Sequence, residues 1–150
     1  MATFSDAIDV IQTRLKAAIT DLELRWQNEN GLPMPDIPAP FIFVAIEREP
    51  KSTYLAGFGA GRGANLWRNP AYIVAYAFVP KNQGLKTATD LAERVGAVFR
   101  SYRDTTISCF ESSIEPGGDG ASMKPPGLAS EVGNYFWSLS QTTFFFDQIG

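Results

Sequence analysis

Apolar residues recur at helical spacing in two stretches of the chain. The first follows Ser5, whose side chain can cap a helix, and its pattern predicts a helix that ends near Trp26. The second begins at Thr87, with Asp90 three residues later as an acidic capping-box partner. The buried stripe of this second helix is predicted to consist of Leu91, Val95, Val98, Phe99 and Tyr102.

The remaining apolar residues predict strands. The runs Phe41 to Ile46 and Ala71 to Val79 are apolar at consecutive positions, which is typical of strands buried on both faces. Residues 52–58 alternate weakly and predict a more exposed strand. Two further strands are predicted at residues 107–114 and 135–146, the last with Tyr135, Trp137 and Leu139 on one face.

The order of these elements is helix, three strands, helix, two strands. It predicts an α+β fold: a two-layer sandwich with a mainly antiparallel mixed sheet of about five strands and two helices on one face. A doubly wound fold would need more regular alternation of strands and helices. With 150 residues and 45% hydrophobic residues, the chain is expected to form a single domain spanning residues 1–150.

Glycine and proline mark the predicted connections. Four prolines in residues 28–40 indicate a stiff, extended connector. The glycines of residues 57–63 predict a flexible loop that runs to Pro70, and residues 116–133 predict a second long loop. Residues 147–150 are expected to form a tail.

The glycine loop also mixes positive charge with aromatic side chains, a combination enriched in protein interfaces. The candidate interface residues there are Tyr54, Phe58, Arg62, Trp67 and Arg68. Met123 and Lys124 in the second loop are weaker candidates of the same kind. The alternative is a mobile loop whose aromatic rings fold back on the core.

Catalytic chemistry has little support in this sequence. The chain has no histidine and one cysteine, so it lacks the residues for a Ser-His or Cys-His pair and for a zinc site. Cys109 is expected to be an inert core residue. We predict no catalytic residues, no metal and no cofactor, and therefore no enzymatic activity.

Two weaker signals keep a small-molecule-binding α+β domain open as an alternative. Residues 57–63 superficially resemble a phosphate-binding loop, although a strand rather than a helix is predicted to follow. Glu111, Glu115 and Asp119 could form a carboxylate cluster for acid-base chemistry or a hard cation. Their alternative role is a solvated surface.

Charge and hydropathy limit the partners. The net charge is −3, so general nucleic-acid binding is not expected. Residues 51–105 are net basic, whereas residues 1–50 and 106–150 are net acidic, which suits head-to-tail contacts between like subunits. The longest apolar run is too short to cross a bilayer, and the N-terminus predicts no signal peptide, so no membrane partner is expected.

The ordered features of residues 1–115 resemble the tail-terminator proteins of long-tailed bacteriophages and phage-like gene transfer agents. The matching pieces are an N-terminal helix leading to Trp26, a proline-rich approach to the strand at Phe41, a glycine-containing turn at residues 57–62, and a strand that leads through Gly84 into a helix over residues 88–100. The segment after residue 115 matches this pattern less clearly.

The resemblance implies a subunit that forms a homo-oligomeric ring, typically a hexamer. Such a ring caps the head-proximal end of the tail tube, stops its polymerisation and joins the tail to the neck. The implied partners are therefore further copies of the chain, the tail tube protein and the neck or head–tail connector proteins. The implied location is the virion tail or neck, after assembly in the bacterial host cytoplasm. Another neck or head–tail joining protein remains an alternative with a similar layout.

Overall fold

The computed structural model describes residues 2–29, 39–49, 51–59, 61–117 and 135–150. Within these ranges the chain forms two α-helices and six β-strands. In chain order they are α1 (Phe4–Ala18), β1 (Glu23–Trp26), β2 (Phe41–Glu47), β3 (Tyr54–Gly57), β4 (Leu66–Pro80), α2 (Leu85–Phe99), β5 (Ser108–Pro116) and β6 (Tyr135–Ile149).

All six strands belong to one mixed sheet, in which five follow the order β1-β2-β4-β6-β5 and β3 pairs with β4. The β1–β2 pair is parallel and the other pairs are antiparallel. Strand β3 pairs with residues 66–68 of β4, and β2 pairs with residues 72–78 of the same strand. The predicted α+β class and the mainly antiparallel mixed sheet are confirmed, with six strands where about five were expected.

Both helices cover the same face of the sheet, as predicted. Ala7, Ile11 and Leu15 of α1 belong to one buried cluster with Val95 and Phe99 of α2. The sheet contributes alternate residues to this cluster, because successive side chains of a strand point to opposite faces. These sheet residues include Ile42, Val44, Ile73, Ala75, Phe144 and Phe146.

The opposite face of the sheet carries a second buried cluster that is rich in aromatic rings. Phe41 stacks on Phe78 at 4.7 Å between ring centroids, and Tyr76 meets Trp137 edge-on at 5.5 Å. Tyr135 and Leu139 belong to the same cluster, so the predicted common face of β6 is confirmed. Burial on both faces explains why β2 and β4 are apolar at consecutive positions.

The first helix differs from its prediction at both ends. It ends at Ala18 rather than near Trp26, and residues 23–26 form β1, whose Trp26 packs into the helix-side core. The N-cap is Thr3 rather than Ser5. The Thr3 side chain accepts a hydrogen bond from the Asp6 amide at 3.1 Å, and the Asp6 carboxylate accepts one from the Thr3 amide at 2.8 Å. The bond from the Thr3 backbone lowers the pKa of Asp6.

The second helix begins at Leu85, two residues before the predicted cap. Gly84 occupies the N-cap with a φ of 83°, a conformation that glycine adopts without strain. Thr87 lies inside the first turn, where its hydroxyl donates to the Gln83 carbonyl at 3.1 Å. Of the predicted stripe, Val95 and Phe99 are buried. Leu91, Val98 and Tyr102 are partly buried rather than buried, and small residues, Ala88, Ala92 and Gly96, complete the contact with the sheet.

The glycine loop is shorter than predicted, because β4 already begins at Leu66. Asn69 and Pro70, which signal a break in the sequence, lie inside a strand of 15 residues. Pro70 falls between the stretch paired with β3 and the stretch paired with β2, so its missing N–H removes no ladder bond on that side. Likewise, residues 147–149 are not a tail but the end of β6.

Candidate functional site

Five of the predicted interface residues lie on one hairpin. We call the described residues of 54–70 the hairpin arm: β3, the turn after it and the beginning of β4. Tyr54 is on β3, Phe58 and Arg62 are in the turn, and Trp67 and Arg68 are in β4. Phe58 is 87% exposed, the highest value among the large hydrophobic side chains that the structure describes. Met123 and Lys124 lie outside the described residues.

The arm does not present its five predicted residues on a single face. Trp67 and Arg68 are neighbours on β4 and therefore point to opposite sides of the sheet. The Trp67 indole Nε1 donates to the Gly150 backbone oxygen at 2.9 Å, so one end of this ring is fixed within the chain. Arg68 shares the other side with Tyr54, its partner in the β3–β4 register.

Arg68 is tied into the sheet by charge and by stacking. Its Nε and Nη2 donate to the two carboxylate oxygens of Asp147, each at 2.8 Å. Its Cζ lies 3.8 Å from the centroid of the Phe145 ring. The hydrogen bond to Asp147 raises the pKa of Arg68. Much of the guanidinium's bonding capacity is therefore used inside the chain.

Phe145 also contacts an aromatic residue of the neighbouring strand β5. The Phe145 and Phe110 rings lie 5.2 Å apart, and Phe110 is 44% exposed. Tyr54, Arg68, Phe145 and Phe110 thus follow one another across β3, β4, β6 and β5 on the face opposite the helices. We call this set the aromatic strip.

The exposed apolar residues concentrate at the end of the sheet that carries the arm and the strip. Six large hydrophobic side chains are exposed in the part of the chain that the structure describes. Tyr54, Phe58, Trp67, Phe110 and Ile149 are at this end, and Leu85 is at the start of α2. Phe110 and Ile149 are absent from the sequence-based candidates. The only signal for Phe110 was its position in a strand next to the buried Cys109.

A second surface feature lies on the helix layer. An open groove of about 650 Å³ runs beside α1, and we call it the helix groove. Its lining is Asp9, Val10, Thr13, Arg14, Ala17, Ala18, Val98, Tyr102 and Asp104.

One arginine forms a fixed wall of this groove. Arg14 Nε donates to the Val98 carbonyl at 2.8 Å, and its Cζ lies 3.6 Å from the centroid of the Tyr102 ring. The Tyr102 hydroxyl donates to the Asp104 carboxylate at 3.0 Å. Burial, followed by this hydrogen bond, raises the pKa of Tyr102.

The signals for chemistry in the sequence gain no supporting geometry. Glu111 is exposed and Glu115 half-buried, and Asp119 lies outside the described residues. Within the described ranges no group of three His, Cys, Asp or Glu residues is arranged to hold a metal ion. The glycine turn is followed by β4 rather than by a helix, so it lacks the helix N-terminus on which a phosphate would sit.

Cys109 is a core residue, as expected. It is buried in the helix-side cluster, and burial raises the pKa of its thiol to about 12. A thiol held neutral in this way is a poor nucleophile at physiological pH.

Some charges of the basic and acidic segments pair with one another inside the chain. Arg94 of the basic middle segment pairs with Asp21 of the acidic first segment at 2.8 Å. Arg68, also from the middle segment, pairs with Asp147 of the acidic last segment. Part of the opposed charge is therefore neutralised within the chain.

These features define a two-layer α+β protein. The two surface features that stand out are the aromatic strip and the helix groove. No helix in the described ranges is long and apolar enough to cross a bilayer.

Comparisons with known proteins support conclusions about the fold only. No model of a known protein family matches the chain, and no curated protein matches it. One solved structure, whose name states no function, shares 14% sequence identity with this chain. The structural alignment covers 95% of this chain and 96% of the solved one, with a TM-score of 0.51. At this identity the likeness concerns the arrangement of the elements.

Proposed function

We propose that this chain is a structural virion protein of the tail-terminator kind. In this role, copies of the chain form a ring, typically a hexamer, that caps the head-proximal end of the tail tube. The ring stops tube polymerisation and joins the tail to the neck. The proposed partners are other copies of the chain, the tail tube protein and neck proteins.

The observation that carries this proposal is the aromatic strip, which shares Tyr54 and Arg68 with the hairpin arm. Aromatic residues and arginine are enriched in protein interfaces, because aromatic rings bury a large area and the arginine guanidinium offers several hydrogen-bond donors in one planar group. The strip consists of these residue types: Tyr54, Arg68, Phe145 and Phe110. Arg68 is held over the Phe145 ring and by Asp147, so this part of the surface is already ordered before a partner arrives.

The strip also has a rigid support. It crosses the long pair β4 and β6, whose register continues from the Leu66–Ile149 pair to the Pro80–Tyr135 pair. The same two strands contribute residues to both buried clusters. Such a scaffold suits a protein whose function is to hold other subunits in place.

Deletion of the gene tests this function in the strain that makes the particles. A protein that stops tube polymerisation leaves tails of uncontrolled, increased length when it is missing, and electron microscopy measures the length distribution. Complementation with the wild-type gene restores one length, and complementation with Leu85→Ala serves as a control because Leu85 lies away from the strip.

The same experiment separates the alternatives. Tails of normal length that fail to join heads indicate another neck or head–tail joining protein. Particles that are unchanged in length and in attachment overturn both assignments, and a small-molecule-binding domain then becomes the better interpretation.

A further inference from the structure

The helix groove can accommodate an apolar side chain that is followed closely by a positively charged one. Its α1 wall consists of small residues, Thr13, Ala17 and Ala18, all of them exposed. Its floor contains Val10 and Val98, which are half-buried and pack against the helix-side core from above. Because the side chains on the α1 wall are small, they leave space for an incoming side chain above the apolar residues Val10 and Val98.

The rim of the groove is acidic. Asp9 is exposed on α1 and forms no salt bridge with any described residue, and Asp104 lies across the groove. Arg14, the basic residue of the lining, is held by the Val98 carbonyl and the Tyr102 ring. An incoming positive group therefore meets the free carboxylate of Asp9.

The hairpin arm carries the complementary groups. Phe58 is the most exposed large hydrophobic residue described, and Arg62 follows it in the same turn. Arg62 is exposed and pairs with no acid among the described residues. The sequence from 54 to 70 contains no Asp or Glu, so the arm is purely basic.

We propose that the hairpin arm of one copy of this chain docks in the helix groove of the next copy. Phe58 then lies on the floor formed by Val10 and Val98, and Arg62 faces Asp9. Arm and groove are different surfaces, so this contact is head-to-tail, the kind that closes into a ring when the rotation between copies is a simple fraction of a turn. The inference rests on the proposed function and names the contact between subunits.

A charge exchange in the full-length chain tests the contact, with sedimentation velocity over a range of concentrations as the measurement. Arg62→Glu and Asp9→Lys each place like charges opposite one another, and each is expected to weaken self-association about tenfold or more. The double variant Arg62→Glu/Asp9→Lys restores opposite charges and is expected to recover most of the wild-type association. Lys81→Glu is the matched control, since Lys81 is an exposed turn residue at the other end of β4.

Variants that change side-chain volume test the same contact by a second route. Ala17→Arg fills the groove and should abolish association, whereas Ala97→Arg, on the exposed side of α2 outside the groove lining, should leave it unchanged. Arg is nearly as good a helix former as Ala, so both variants are expected to fold, and circular dichroism checks this. Phe58→Ala should weaken association, and Leu85→Ala should not.

The outcomes distinguish the contact from the function. A wild-type chain that stays monomeric up to about 1 mM overturns the docking of arm into groove. Association that is unaffected by Arg62→Glu, Asp9→Lys and Ala17→Arg overturns it too. Either result leaves the tail-length experiment to decide the proposed function. Normal tail lengths after gene deletion, together with the expected charge exchange, would instead retain the contact and reject the tail-terminator function.

Discussion

At the scale of single residues, the arm contains two kinds of side chain that its composition does not distinguish. Trp67 and Arg68 are engaged within the chain, through Gly150 and Asp147 respectively. Phe58 and Arg62 are exposed in the turn. The sequence predicted all of them as interface residues, because aromatic and basic residues near glycines are the signal of an interface. Their separation depends on β6, which is distant in sequence.

The Arg68–Asp147 pair is expected to stabilise the arm end of the sheet. Both side chains are largely shielded, at 30% and 27% exposure, and the pair is bidentate. Asp147→Asn removes the charge and one good acceptor, so it should lower the free energy of unfolding by about 1 to 2 kcal/mol in urea titrations. The matched control is Asp90→Asn, which breaks the exposed Lys86–Asp90 pair and should cause no measurable loss. Equal effects of the two variants would mean that Asp147 adds nothing beyond a surface contact.

Two buried groups predict a loss of stability at alkaline pH. Burial raises the pKa of Cys109 from 9.0 to about 12 and that of Tyr76 from 10.0 to about 12. Above pH 9 the unfolded chain therefore holds fewer protons than the folded one, and the free energy of unfolding falls as pH rises towards 12. The slope reaches at most about 1.4 kcal/mol per pH unit for each group.

Urea unfolding at a series of pH values measures this slope. Cys109→Ala should remove the part of the loss that begins near pH 9, and Tyr76→Phe the part that begins near pH 10. If the parent and both variants lose stability with the same slope, other groups cause the alkaline transition.

At the scale of elements, the sequence predicted those whose pattern is set by burial. Strands β2 and β4 lie inside the sheet between the two clusters, so their apolar runs were clear signals. Strand β1 was missed because Leu22, just before the strand, and Trp26, at its end, continue the helical spacing of α1. Its four residues become a strand by pairing with β2, and the two partners are separated in sequence by 14 residues, from Trp26 to Phe41. Local pattern cannot report such pairing.

A close approach between elements gives a prediction at the end of β5. Gly117 donates its amide hydrogen to the Trp137 carbonyl at 2.9 Å, and a Cβ on Gly117 would collide with the Trp137 ring and with its backbone oxygen. Gly117→Ala should therefore lower the free energy of unfolding by about 1 to 3 kcal/mol, measured by thermal or urea unfolding.

Gly150→Ala is the control, because the space around Gly150 is open. A Gly117→Ala variant as stable as the parent would show that the end of β5 moves away from Trp137 at little cost.

At the scale of the whole molecule, the net charge of each sequence segment does not by itself identify the surfaces used in assembly. The net charges of the three segments suggested opposed faces, yet two salt bridges join the basic segment to the acidic ones. What remains for assembly is local: the aromatic strip, the hairpin arm and the helix groove. Phe110 and Phe145 entered the strip only through the β5–β6 register, which the sequence alone does not determine. The fold class was therefore predictable, and the composition of the surface was not.

Cryo-electron microscopy of the tailed particles made by the strain that carries this gene tests the proposed tail-terminator ring most directly. For a tail terminator we expect a single ring of copies of this chain between the tail tube and the neck. In that ring, the aromatic strip faces a neighbouring protein and each hairpin arm lies in the helix groove of the adjacent copy. A particle whose tube meets the neck without this chain, or one in which the chain is placed elsewhere, would contradict the tail-terminator function.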